Sequence, residues 1–554
     1  MSTSISRADF LKGMAGLAAA GLGGAAVVEM LRRSKPHFPV RMLGPSKDLG
    51  HLLRDPRACA AKVSGHIAAQ KTRVAIIGGG IAGLSAAWWL TKNGINQNEI
   101  VLLELEKSVG GNATCGQNQY GSYPWGAHYI PIPNKESAYV RLLLQELGVL
   151  QGFDAKGEPI YDELALCHEP QERLYKDGAF HEGLVPKRGL QANESAEMAR
   201  FFATVVAFRN AVGKDGKPAF AIPLDLSSQD SEYTALDKIS MSQWLTANNF
   251  VTKPLLWYLN YCCRDDYGST LDNVSAWAGI HYFAGRRGTA ANAEQNAVLT
   301  WPQGNGFLVE KLRAKVAPCI KLDSLVTKVE TKDGKIQTTF MNADGNQGTV
   351  ESDNVIFAAP RFIAERVVAD QAFKASFPPE KSALNYAPWL VANISLKYLP
   401  TARGVGPAWD NVSYYGQSLG YVMANHQDIS TRQKPDVITY YYPLSAEAPG
   451  QARRALYSQS ADYWSRIIVE DLAKMHADIA EQIISIDVWP WGHGMIRPDV
   501  GFIWGDLRRR MKDCAGNIVF AHSDMSGISN FEEAQYHGVE AAKTVLGRMN
   551  KANG

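Results

Sequence analysis

Thr72-Arg73-Val74-Ala75-Ile76-Ile77-Gly78-Gly79-Gly80-Ile81-Ala82-Gly83-Leu84-Ser85-Ala86-Ala87-Trp88-Trp89-Leu90 decides the fold. Thr72 to Ile77 is a short apolar run with β-branched residues, which predicts a buried strand. From Leu84 the chain reads as a helix. Between them stands Gly78-x-Gly80-x-x-Gly83. Gly78 permits the tight turn from strand to helix, Gly80 lets backbone approach a pyrophosphate, and Gly83 lets the helix lie close to the sheet. The helix N-terminus offers unpaired N–H groups and partial positive charge to phosphates. A second strand, Glu99 to Leu103, ends at Glu104, 21 residues past Gly83. An acid there accepts hydrogen bonds from an adenosine ribose and disfavours a 2′-phosphate. The ligand is therefore FAD or NAD.

The residues that follow choose between them. Glu104-Leu105-Glu106-Lys107-Ser108-Val109-Gly110-Gly111-Asn112 resembles the second glycine motif of flavin amine oxidases, phytoene desaturases and protoporphyrinogen oxidases. In that superfamily the paired glycines, here Gly110 and Gly111, help bind the FAD pyrophosphate. Asn112 stands where many members have an arginine. Tyr123-Pro124-Trp125-Gly126-Ala127-His128-Tyr129 resembles the segment that passes near the flavin, with Gly126 and Ala127 allowing close approach. At the other end, the strand pattern Asn517 to Ala521 leads into His522-Ser523-Asp524-Met525-Ser526-Gly527 and a helix over about 531–548. This resembles the terminal flavin motif. The resemblance makes Asp524 the acid that meets the ribityl chain, Ser523 the residue in place of the usual glycine, and Gly538 the small residue for close helix packing. Because the match lies at both ends of the chain, it implies FAD, which is long enough to need both.

Between the ends, Val326 to Glu330, the turn at Lys332-Asp333-Gly334, Lys335 to Phe340 and Asp353 to Pro360 resemble the family's meander and return strand, which implies that the Val329 backbone contacts adenine. The fold class follows: α/β, a Rossmann-like FAD-binding domain built from discontinuous segments, with a second mixed-sheet and helical substrate domain. The expected division is 1–30 export signal or membrane-tethering segment, 31–70 irregular lead-in, 71–144, 291–379 and 486–550 FAD-binding domain, and 145–290 and 380–485 substrate domain. Pro36, Pro39, Pro45 and Pro56 interrupt regular structure in the lead-in, and no site residue is expected there.

The expected chemistry is hydride transfer from a substrate to flavin N5, most directly from an amine or amino acid, with electrons passing on to oxygen or another acceptor. A desaturase, saturase or isomerase of a long apolar isoprenoid-like substrate is the alternative, and a non-catalytic flavoprotein maturation partner is the second. His128 reads either as a proton-transfer group or as a structural histidine. Trp491 and His493, in Trp489-Pro490-Trp491-Gly492-His493-Gly494-Met495, are candidates for the site near the flavin, with Trp489 assigned to the core. Asp265-Asp266 reads either as an ammonium site or as a helix cap or solvated pair. No lysine is assigned to a water near N5. Cys262-Cys263 has no second cysteine pair, and no metal set is found.

The 554 residues carry 57 Lys+Arg against 55 Asp+Glu, with hydrophobic types at 46%. That composition excludes a disordered chain and a strongly basic nucleic-acid footprint. The partner is a small-molecule substrate. Residues 1–70 hold ten Lys/Arg against four Asp/Glu. Ser6-Arg7-Ala8-Asp9-Phe10-Leu11-Lys12 precedes an uncharged run from Gly13 to Val28, the pattern of an export signal or short anchor. It resembles a bacterial twin-arginine signal in which Ala8 stands where the second arginine belongs. The expected location is periplasmic or membrane-associated, with membrane association through the N-terminus.

Overall fold

The computed structural model describes residues 37–294, 296–370, 373, 384–399, 402–427, 434–513 and 515–553. In chain order, the elements that build the site are β1 (Val40–Met42), α1 (Lys47–His51), β2 (Gln70–Ile77), α2 (Ile81–Lys92), β3 (Ile100–Leu103), α3 (Lys253–Tyr267), β4 (Ser324–Lys332), β5 (Lys335–Asn342), β6 (Asn346–Phe357), α4 (Arg361–Val367), β7 (Tyr386–Leu396), β8 (Asp436–Pro443), β9 (Ile483–Ile496), β10 (Ile518–Phe520) and α5 (Phe531–Asn553).

The first sheet runs Ile320–Lys321, β3, β2, β6, β5, β4, and β10 joins β6. The pairs β2–β3, β2–β6 and β6–β10 are parallel, with Ile77 opposite Leu103 and Phe357 opposite both Ile77 and Phe520. Val74 to Ile77 are all buried, as are all four residues of β3, because helices cover one face of the sheet and the meander covers the other. The expected discontinuous Rossmann-like α/β domain is therefore present. The meander β4–β5–β6 is antiparallel and leaves this sheet at one edge.

α2 is buried on almost every side, with Trp89 and Thr91 partly exposed and Lys92 exposed. It is held between the sheet and α5. A Cβ on Gly538 of α5 would fall 2.1 Å from the Ala82 carbonyl oxygen. Only a glycine lets the two helix backbones approach so closely. This crossing ties the last residues of the chain to the first glycine motif.

The second sheet has the order β1, β9, β7, β8, Tyr421–Met423, Asp410–Ser413, Glu172–Lys176, Ala179–Glu182, and mixes parallel and antiparallel pairs. Every residue of β7 is buried. The helices between residues 192 and 284 pack against this sheet through an aromatic core around Phe201, Phe220, Trp244 and Trp277. β9 pairs along its length with β7, so the strand over 483–496 belongs to the second sheet. The lead-in also contributes: β1 pairs in parallel with β9 through Val40 opposite Ile486.

The expectation of a membrane-associated or periplasmic protein is corrected. Among the described residues no helix is long and apolar enough to cross a membrane. The N-terminal run that carried that expectation, residues 1–30, lies outside the described residues.

Candidate functional site

A single cavity of about 900 Å³ runs from the glycine turn of the first sheet to the face of the second, at the upper end of the usual range for ligand sites of about 300–1,000 Å³. Gly78, Gly80, Glu104, Gly110, Gly111, Gly126, Ala127, His128, Trp491 and His493 all line it. Loops at the carboxyl ends of β2, β3 and β6 supply the floor, which is where open parallel sheets bind ligands.

The glycines fit a dinucleotide. A Cβ on Gly80 would meet nothing within 4 Å, so the space in front of it is open groove. A Cβ on Gly83 would lie 1.9 Å from the Gly78 carbonyl oxygen, so Gly83 serves packing. Gly110 adopts φ 129° and Gly111 φ 55°, in the left-handed region that favours glycine. Glu104 accepts the Gly79 N–H at 2.6 Å and the Glu106 N–H at 2.9 Å. Burial pushes its pKa up to about 7 against those two hydrogen bonds. One lone pair on each oxygen remains for a ribose. FAD is the group these residues accommodate: a groove for its pyrophosphate at one end and a wide aromatic chamber at the other.

Two of the residues expected to meet the cofactor have side chains outside the cavity lining. Val329 is fully buried in the core beneath the meander, and its carbonyl accepts the Ala369 N–H. Leu325 and Val326, at the start of β4, line the cavity instead. The β4–β5 register shifts between Val326 and Lys328, an irregularity that the alternating pattern did not reveal. Asp524 is likewise turned away. It has no solvent exposure, and one carboxylate oxygen accepts the Arg361 N–H at 2.8 Å and the Tyr386 hydroxyl at 2.6 Å. Ser523 and His522 line the cavity. His522 has φ 120°, the glycine-like conformation, so the turn sits one residue earlier than the resemblance placed it.

The lead-in, where no site residue was expected, also reaches the cavity. Gly44, Pro45, Ser46, Lys47, Gly50, His51, Leu53 and Arg54 all face the cavity.

The chamber end is aromatic and acidic. His128 stacks on Tyr441 with ring centroids 4.6 Å apart, and both rings meet the Gly126 carbonyl: Tyr441 OH donates to it at 2.8 Å and His128 Nδ1 lies 3.3 Å from it. Burial lowers the His128 pKa to about 4, so the imidazole is neutral at pH 7. With Nδ1–H directed to that carbonyl, Nε2 is the free acceptor. Trp491 donates its indole N–H to the Trp125 carbonyl at 2.6 Å, which fixes its ring as wall. Trp489 stacks on Trp125 at 4.6 Å and also lines the cavity, so it is wall as well as core. His493 has other neighbours. It stacks on Phe362 at 4.6 Å, and burial together with Arg453, Arg54, His51 and Arg366 lowers its pKa to about 3.

Asp265 and Asp266, at the C-terminal end of α3, both face the chamber. Asp266 pairs with Arg286 at 2.7 Å, and the same guanidinium donates to the Tyr129 hydroxyl at 3.1 Å. Burial raises the pKa of both aspartates; Asp266 further raises that of Asp265, and Arg286 opposes the rise in each. Glu532, at the start of α5, also lines the chamber and is pushed to about 7, chiefly by burial. Glu172 and Asp410 act on Asp265 and on each other from behind the wall. Arg286 is the cation at this end of the described lining. The lining lysines, Lys47 and Lys107, come from the lead-in and the second glycine motif. Sequence reasoning left Asp265-Asp266 undecided and missed Arg286 and Glu532. Nothing local marks either residue, since the tertiary contact between α3, the loop after Ala284 and α5 creates the chamber.

A family model for a NAD(P)-binding Rossmann-like domain matches residues 76–147. A curated relative from Dictyostelium discoideum, described as a probable flavin-containing monoamine oxidase A, is 22% identical over 418 residues, covering 71% of this chain and 80% of its own. A putrescine oxidase structure bound to putrescine superposes with TM-score 0.64 at 16% identity, over 86% of this chain and all of its own. The chain shares the fold of that oxidase. The flavin-oxidase fold is also that of a CLA-producing fatty acid isomerase from P. acnes, with TM-score 0.58 at 16% identity, over 85% of this chain and 98% of its own. The fold therefore supports FAD-dependent redox chemistry at the family level, and the chamber must supply the choice of substrate.

Proposed function

We propose that the protein oxidises an amine by transferring a hydride from the carbon next to nitrogen. The observation that carries this reading is the charge of the chamber: Asp265, Asp266 and Glu532 face it, and Arg286 is their counter-charge. A carboxylate facing an aromatic cavity attracts an ammonium group and repels a carboxylate, so an amine is favoured over an amino acid. A long polyene has no use for three acids in its channel, and burying them against it is costly.

Bound flavin supplies the hydride acceptor, N5. The residues of this chain do the rest. Asp265 draws the substrate ammonium in. The ammonium gives its proton to solvent water on entry, and neutral His128 offers Nε2 as an acceptor to an N–H of the free amine, the form that can release hydride from its α-carbon. The carbon loses two electrons with the hydride, the nitrogen lone pair closes an iminium, and water hydrolyses that product to aldehyde and ammonia or a smaller amine. Tyr441, Trp491 and Trp389 hold the reacting carbon in a dry wall.

The test is an anaerobic screen of the FAD-loaded protein against monoamines, diamines, amino acids and polyenes, read by loss of the flavin band near about 450 nm. Bleaching by amines with aldehyde release supports the reading. Bleaching by polyenes alone, or by none of these substrates, overturns it.

A further inference from the structure

The cations around the cavity are unevenly placed. Lys47, His51 and Arg54 come from the lead-in and Arg366 from α4, and all four line the cavity; the lead-in meets the second glycine motif where Ser46 bonds to Glu106. They act on one another: burial lowers the His51 pKa, and Arg54, Lys47 and Arg366 lower it further, with Asp48 opposing. None of Lys47, Arg54 or Arg366 forms an ion pair with a described carboxylate. Arg54 lies 3.0 Å from the His51 ring, and Lys47 sits 4.7 Å over the Tyr457 ring. Glu106, the acid of the facing segment, is occupied: Ser46 donates its N–H at 2.8 Å and its hydroxyl at 2.7 Å to the two carboxylate oxygens.

The lead-in is anchored on both sides of these residues. β1 pairs with β9, and Arg41 grips Asp487 through two bonds of 2.6 Å. After α1, Leu53 packs on the apolar core beneath the meander. Asn112, where a cation would face the phosphates directly, carries no charge, and its amide is engaged by the Gly494 carbonyl. An ordered strap with a cluster of like charges facing a groove calls for an anion in that groove.

We propose that residues 44–54 form a strap over the dinucleotide groove, and that Lys47 and Arg54, together with Arg366, supply the positive charge facing the FAD pyrophosphate. The inference rests on the cofactor and not on the amine reading, so it stands or falls separately from the substrate screen. His51 and Ser46 are positioning residues: one orders Arg54 and the other fastens the strap to Glu106.

The experiment strips flavin from the full-length protein and titrates FAD back at low and high ionic strength, read by quenching of flavin fluorescence. A Lys47→Met/Arg54→Met variant weakens FAD binding by about tenfold or more at low salt and flattens its salt dependence. Arg54→Lys restores most of the affinity. Equal affinity and equal salt slope in wild type and double variant overturn the proposal. Should the double variant fail to fold, the wild-type apoprotein decides through hydrogen exchange. ADP protects residues 44–54 and riboflavin, which has no phosphate, does not. No protection by ADP, or equal protection by riboflavin, overturns the assignment.

Discussion

The 2.7 Å ion pair between Asp266 and Arg286 neutralises one of two adjacent carboxylates and leaves Asp265 facing the chamber. The two aspartates therefore have different work. Asp265→Asn should raise KM for an amine about tenfold or more, roughly 1.4 kcal/mol of binding, with little change in kcat. Burial and the Asp266 charge raise the Asp265 pKa. Amine binding should therefore strengthen as pH rises through that raised value, and the Asn variant should lose this limb of the kcat/KM profile.

The same shift makes a statement about stability. A carboxyl whose pKa is raised in the folded state contributes stability below its unfolded value and loses it as pH rises through the folded one. Apoprotein melting should therefore fall as pH rises from the ordinary carboxylate range to that raised value and level off above it, and Asp265→Asn should flatten the fall. A steeper fall in the variant would contradict the assignment.

His128 is neutral throughout the physiological range because burial holds its pKa near about 4. Its titration should leave no inflection between pH 6 and 9 in the rate of flavin reduction (an expectation that follows from a group already deprotonated there). His128→Phe keeps a ring against Tyr441 but removes Nε2. It should retain FAD and slow reduction by about 10²-fold. A wild-type reduction rate in stopped-flow measurements would reduce His128 to wall.

Gly80 and Gly83 separate cofactor space from packing space. Gly80→Val should fold with near-normal melting and fail to retain FAD, because its side chain enters open groove. Gly83→Ala should instead lower the melting temperature, since its Cβ would collide with the Gly78 carbonyl oxygen; overpacking of this kind costs about 1–3 kcal/mol. Flavin absorbance and calorimetry on the two variants distinguish the roles.

Ser523 and Asp524 divide in the same way. Burial pushes the Asp524 pKa up, but His522 beside it and the hydrogen bonds from Tyr386 and the Arg361 N–H outweigh burial and hold it below the ordinary carboxylate value. A depressed pKa contributes stability above the unfolded value, and that stability is lost as pH falls through the folded one. Asp524→Ala should therefore destabilise the apoprotein by about 3 kcal/mol by leaving buried donors unpaired. Ser523→Ala should leave melting unchanged and weaken FAD binding.

The first glycine motif, the acid at Glu104 and the paired glycines line the cavity as their spacing suggests, because each sits within a few residues of a strand end. Those contacts depend on local chain geometry, which glycine spacing encodes. Register is a tertiary quantity that the residue pattern does not encode: an irregularity at Val326–Lys328 and a positive φ at His522 decide which side chains face the groove without changing composition.

The sequence by itself determined that the chain is a discontinuous flavin-oxidase fold holding FAD, since strand–glycine–helix order at one end and the terminal motif at the other admit little else. Only the tertiary structure decided what surrounds the cofactor. Asp265, Asp266, Arg286 and Glu532 come from three separate segments, and their charges matter because burial in one chamber removes the water that would screen them. The lead-in reads as irregular chain until β1 pairs with β9 and swings Lys47 and Arg54 over the groove. Distances between remote residues set these electrostatics, and no local pattern of residues records such distances.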